Sequence, residues 1–151
     1  MNGLHLHLIL NHVPVVGTIF LVALFALAFA RRDRTLLSTA LVTCAVLGAV
    51  TVAVFLTGEP AEELVEDIAG ISKGALERHE DTARLAMIAM AVAGALSLLA
   101  LAALRRHARR SRAIALGGLA ASIVLAGIMA VTANLGGQIR HAEIRASRTG
   151  H

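Results

Sequence analysis

VPVVGTIFLVALFALAFA, residues 13–30, runs without a single Asp, Glu, Lys or Arg and then meets Arg31-Arg32-Asp33-Arg34. As a helix, a segment of that length rises about 27 Å at about 1.5 Å per residue, close to the roughly 30 Å hydrocarbon core of a bilayer. Three more stretches share the property: residues 36–57, 85–104 and 113–133. All four are apolar on every side, whereas the helices of a water-soluble bundle carry a charged outer stripe. The chain has 151 residues, is 57% hydrophobic and has a mean hydropathy of +0.75, which leaves no room for a sizeable soluble domain. The sequence therefore predicts an all-α membrane four-helix bundle forming one domain over residues 1–151.

The basic residues set the orientation. Arg31, Arg32 and Arg34 separate the first two runs, and Arg105, Arg106, Arg109, Arg110 and Arg112 separate the last two. Both clusters fall in short loops on one side of the membrane, the pattern of the positive-inside rule. We read them as cytoplasmic anchors; this placement argues against a nucleic-acid surface despite the net charge of +4. The expected location is the bacterial inner membrane, multi-pass, with both termini extracytoplasmic. The opening MNGLHLHLILN has no basic segment before its apolar run, which favours an N-out helix over a cleaved signal peptide. The lone cysteine, Cys44, has no disulfide partner and reads as a small core residue.

Punctuation refines the picture. Pro14 falls near the start of the first run, with Asn11 as a cap in front of it. Gly58-Glu59-Pro60-Ala61-Glu62-Glu63 reads as the end of the second helix followed by a new start. From there to Ala69, an apolar face (Leu64, Val65, Ile68) opposes an acidic one, predicting a short extracytoplasmic surface helix between helices 2 and 3. Residues 72–81 then lead, already helical, into the third crossing. Small residues recur in the last two runs, at Ala83, Ala86, Ala89 and Gly94 and again at Gly117, Gly118 and Gly127. They allow close helix packing or leave a shallow groove.

The chemistry gathers at one end. His5, His7, His12, His79, His141 and His151 all fall on the side opposite the arginine loops, with most of the acidic residues. His107, among the arginines, reads as a solvated loop residue. Ionisable clusters at a membrane edge are costly to keep and are functional candidates for that reason. Neutral imidazole ligates both haem iron and free metal ions, which leaves two chemistries open. In one, His7, His12, His79 and His141 hold b-type haem by bis-imidazole ligation. Ala83, Ala86 and Met90 follow His79 at helical spacing and would be the groove for the macrocycle. In the other, His12, His79 and His141 with Glu59, Glu63, Glu80 and Glu143 hold non-haem Fe, Cu or Zn. Glu77 is a further carboxylate on that side. No His has a Glu three residues before it, and neither HExxH nor CxxC occurs. The apolar runs carry no ionisable relay, which disfavours a transporter. A structural small subunit of a larger membrane complex is the remaining reading.

Along its whole length the chain resembles a family of small bacterial four-helix membrane proteins. The resemblance is carried by His7-Leu-Ile-Leu-Asn-His12-Val-Pro14 at the start, Arg78-His79 before the third run and Gly136-Gly137-Gln-Ile-Arg-His141 at the close. Leu8 stands where that family usually has Pro, and the Gly-Glu-Pro-Ala-Glu-Glu segment is not part of its pattern. Members occur beside or fused to Rieske or c-type cytochrome modules. The resemblance therefore implies a b-type cytochrome-like electron-transfer role, with an extracytoplasmic redox protein, quinone or a larger membrane complex as partner.

The topology has a direct test. In a Cys44→Ala background, an impermeant maleimide applied to intact cells should label Asn2→Cys and leave Arg109→Cys unlabelled. Labelling at position 109 alone would reverse the orientation.

Overall fold

In the computed structural model, which describes residues 10–63, 73–106 and 108–140, the chain is all-helical. Helix α1 is His12–Arg31, α2 Arg34–Glu63, α3 Lys73–Arg106 and α4 Ser111–Arg140, with a single 3-10 turn at Ala108–Arg110 before α4. Each of the four is long and apolar enough to cross a membrane. Ile19, Phe20, Leu99 and Val124 are among the large apolar side chains left exposed on the outside of the bundle. In lipid they face a solvent as apolar as themselves. The protein is thus built as a multi-pass membrane protein.

The first hairpin is made by backbone capping. Arg32 takes a left-handed conformation (φ 53°), and its N–H, like that of Asp33, bonds back to the Ala28 carbonyl. Asp33 then caps α2: its Oδ1 accepts from the N–H groups of Thr35 at 2.7 Å and Leu36 at 3.2 Å. One residue therefore ends one helix and the next begins the other, so α1 and α2 are adjacent and antiparallel. Successive helices pack side by side around a ring in which α1 also meets α4, while α1 and α3 lie across the diagonal, their backbones apart.

Close approach is concentrated at glycines. A Cβ on Gly48 would lie 2.8 Å from the Met90 carbonyl oxygen, and Gly94 lies against the Cα atoms of Ala45 and Gly48. Here α2 and α3 touch backbone to backbone. On the opposite side the Phe25 ring of α1 lies over Gly118 of α4. Leu21, Phe25, Leu37, Ala40 and Met90 are 0–2% exposed and form the centre of the core. Three of its buried hydroxyls bond within their own helices, Thr18 to the Val15 carbonyl, Thr51 to Leu47 and Ser122 to Leu119, while Ser97 of α3 pairs with Cys44 of α2. This is how a hydroxyl is accommodated where water is absent.

Two expectations at the helix ends need correction. Asn11 is not a side-chain cap: its backbone is right-handed helical (φ −64°, ψ −21°) and its side chain makes no capping bond. Leu10 before it is already helical, and the missing N–H of Pro14 leaves only a turn at Asn11. Nor does α2 stop at Gly58. It continues through Gly58 and Pro60 to Glu63, so Glu59–Glu63 are its last turn and not the first turn of a surface helix. Glycine costs a helix about 1 kcal/mol. Pro60 removes one bond, to Leu56, near a helix end. Neither is enough to break a long helix that Ala61-Glu62-Glu63 favours continuing. The remainder of the expected surface helix, residues 64–69, falls outside the described residues. The early start of α3 agrees with the sequence, since helix begins at Lys73.

Gly48→Ala should destabilise the bundle by about 1–3 kcal/mol, the usual range for overpacking, because backbone atoms cannot yield to the new methyl. Gly127→Ala, with open space around its Cα, should be neutral or slightly stabilising. Unfolding in detergent micelles measures both. Equal stability of the two variants would show that the α2–α3 seam is not the tight contact described.

Candidate functional site

The two ends of the bundle differ in chemistry. At the arginine end, Arg34 of α2 donates to the Leu104 carbonyl at 3.0 Å, satisfying one of the open carbonyls at the end of α3. Arg112 sits over the Phe29 ring, 5.4 Å from its centroid, worth about 0.5–1 kcal/mol at an exposed site. These contacts anchor and cap.

At the other end the best-defined group is His79, in the second turn of α3. Its Nδ1 is 3.1 Å from the Thr132 carbonyl oxygen of α4. Its ring lies so close to Gly136 that a Cβ there would come within 3.1 Å of Cε1. A carbonyl oxygen can only accept, so Nδ1 carries the proton. In the neutral ring, Nε2 is then the lone-pair nitrogen. Metal-binding histidines are commonly prepared in this way, their second ring nitrogen donating to a backbone carbonyl. The sequence pointed to His79 but not to Gly136 as its seat; the Gly136-Gly137 pair gave a signal only as part of a terminal motif.

The other predicted residues divide into three groups. His12 is exposed at the start of α1, diagonally across the ring from α3. Glu80 is surface-exposed and paired with Arg84 at 3.0 Å, an i,i+4 contact worth about 0.3–0.5 kcal/mol. Glu59 and Glu63 belong to the last turn of α2. The contacts Arg34–Leu104 and Gly48–Gly94 define the α2–α3 register. Continued outward, that register carries the last turn of α2 to the level of His79. His7, His141 and Glu143 lie outside the described residues, as do His5, His107 and His151. Among the described residues, no three His, Cys, Asp or Glu side chains converge in a way that could hold a metal ion.

Two polar side chains at this end were not among the predicted ligands. Gln138 is 4% exposed and donates to Asn134 Oδ1 at 2.7 Å. The Asn11 Oδ1 atom is buried and has no hydrogen-bond partner among the described residues. A shielded amide oxygen without a donor is costly, about 1–3 kcal/mol. The Phe25–Gly118 and Phe29–Arg112 contacts fix the α1–α4 register. Extended outward, it puts Asn11 level with Thr132, whose carbonyl takes the His79 bond.

The groove expected for a macrocycle behaves differently. Ala86 is 3% and Met90 0% exposed, both packed into the protein core, and the Met90 carbonyl meets Gly48. A porphyrin lying along Ala83, Ala86 and Met90 would have to enter the packed core. The small residues on this face serve helix–helix contact. The chain matches no family model, no curated protein and no solved structure.

Gly136→Ala should push the imidazole away from Thr132 and loosen the tautomer. In ring-labelled protein, the ¹⁵N spectrum of wild-type His79 should show a protonated Nδ1 and an unprotonated Nε2 at neutral pH. The variant should show mixed tautomers. An Nε2-protonated ring in the wild type would contradict the arrangement.

Proposed function

We propose that this protein binds a compact metal ion at the histidine end of a membrane-embedded four-helix bundle, with His79 as its central ligand through Nε2. The observation that carries this reading is the Nδ1–H contact from His79 to the Thr132 carbonyl, with the ring seated on Gly136. It supports a ring prepared for ligation, fixed in both tautomer and orientation. Asn11 Oδ1 adds a shielded oxygen in need of an electropositive partner. Glu59 and Glu63, in the last turn of α2, are the carboxylate candidates from that helix. A mixed nitrogen and oxygen donor set suits Zn²⁺, Fe²⁺ or Cu²⁺. An ion needs no slot between helices, whereas a macrocycle needs one where Met90 and Gly48 meet. His12, His141 and Glu143 are further ligand candidates. On the orientation set by the arginine loops, this end is extracytoplasmic, and the partner would be an extracytoplasmic redox protein, quinone or a larger membrane complex.

Elemental analysis of protein purified in mild detergent and loaded with Fe, Cu or Zn should give a stoichiometric metal. His79→Ala should lower the affinity at least about 10-fold, the lower range for loss of a ligand's supporting interaction. His79→Asn is a second variant in case the alanine protein misfolds. Glu80→Gln, which alters an exposed ion pair, should bind as the wild type does. A reduced-minus-oxidised spectrum showing b-type haem bands would favour the macrocycle instead. Neither pigment nor metal would leave a structural subunit.

A further inference from the structure

The outer face of the α2–α3 seam, at the arginine end, holds a cavity of about 560 Å³. Arg34 and Arg105 stand at its mouth, the hydroxyl residues Thr35, Ser38, Thr39 and Thr43 run along one wall, and Val42, Leu101 and Leu104 complete it. Its volume is that of an ordinary small-molecule site.

The wall is unusual for its position. Thr35 and Thr39 are exposed, and Ser38 and Thr43 half-exposed, on the first turns of a membrane-spanning helix. A face directed at acyl chains is ordinarily apolar, as it is at Val46 further along the same helix, which is 56% exposed. Thr39 Oγ1 donates to the Thr35 carbonyl at 3.0 Å, so the first turns of α2 satisfy part of this polarity themselves. Asp33 is the nearby acid, and its Oδ1 is engaged by the N–H groups of Thr35 and Leu36. It therefore belongs to the helix cap, and the two guanidinium groups give the mouth its charge. The Arg34 contact to the Leu104 carbonyl holds one of them at the rim.

From these features we infer that the cavity is a binding site for an anionic glycerophospholipid of the leaflet at the arginine end. The phosphodiester would sit between Arg34 and Arg105, the glycerol and ester oxygens along the hydroxyl wall, and an acyl chain over Val42 and Leu101. Basic pockets between transmembrane helices take such headgroups, and each surface arginine adds attraction to anionic lipid. The apolar part of the cavity selects a lipid over free phosphate, which would leave Val42 and Leu101 without a partner. This is a second site, at the end of the bundle opposite the proposed metal centre and independent of it.

Native mass spectrometry of the full chain, delipidated in detergent and titrated with phosphatidylglycerol or phosphatidylcholine, tests the inference. Phosphatidylglycerol should be retained preferentially as a single adduct. Arg105→Gln should weaken it roughly fivefold, the weight of one arginine near anionic lipid. Arg109→Gln, a substitution outside the cavity, should leave it unchanged. Thr39→Val is a second variant that keeps the charge and should also reduce retention. Equal retention of the two lipids, or equal losses in the position-105 and position-109 variants, would overturn the site in favour of diffuse charge. Displacement of the lipid by millimolar inorganic phosphate would overturn the lipid as its occupant.

Discussion

Gly48 and Gly94 let α2 and α3 approach until their backbones touch, and the rest of the bundle is arranged around that approach. In a bilayer, apolar side chains gain little by leaving lipid for a neighbouring helix. Association then depends on tight packing and on hydrogen bonds. A glycine supplies the first by removing the side chain that would hold two helices apart. The same device is used on α4, where Gly118 receives the Phe25 ring and Gly136 receives the imidazole of His79. One socket closes a seam, the second anchors an aromatic ring, and the third orients a titratable group. Packing and proposed chemistry thus share a single physical origin.

The two ends of the bundle use polar groups in opposite ways. At the arginine end the helix termini are satisfied: Asp33 caps α2, and Arg34 takes a carbonyl at the end of α3. At the histidine end the Asn11 Oδ1 atom is buried and has no hydrogen-bond partner among the described residues. Between the ends, the buried polar side chains among the described residues are the short hydroxyls Thr18, Thr51, Ser97 and Ser122. Such a core insulates one end from the other. Chemistry at the histidine end would therefore be exchanged with groups on that same side of the membrane.

How much of this was legible in the sequence depended on the length scale of each signal. The four crossings were readable because a charge-free run long enough to span a bilayer has few other physical outcomes. The sharp first hairpin was marked by Arg31-Arg32-Asp33-Arg34, although the left-handed Arg32 was not foreseen. The Gly58-Glu59-Pro60 segment misled because its turn signals are local preferences of about 1–3 kcal/mol each, and a long helix with tertiary contacts overrides them. The Ala83, Ala86 and Met90 stripe was ambiguous for a different reason. Small residues suit a ligand groove and a helix seam equally, and only the packing of the neighbouring helices decides between them. His79 was identified as a candidate by residue type and depth. Its seat on Gly136 and its bond to Thr132 join positions far apart in the chain, which one sequence does not pair.

The account rests on His79 being a metal ligand and not a hydrogen-bonding residue at a helix interface. X-ray absorption at the edge of the metal bound to the purified, reconstituted protein tests this most directly. The account predicts a first shell of mixed nitrogen and oxygen donors with imidazole outer-shell scattering, lost when His79 is replaced by Asn. A shell of four equivalent porphyrin nitrogens, or an edge unchanged by that replacement, would contradict it.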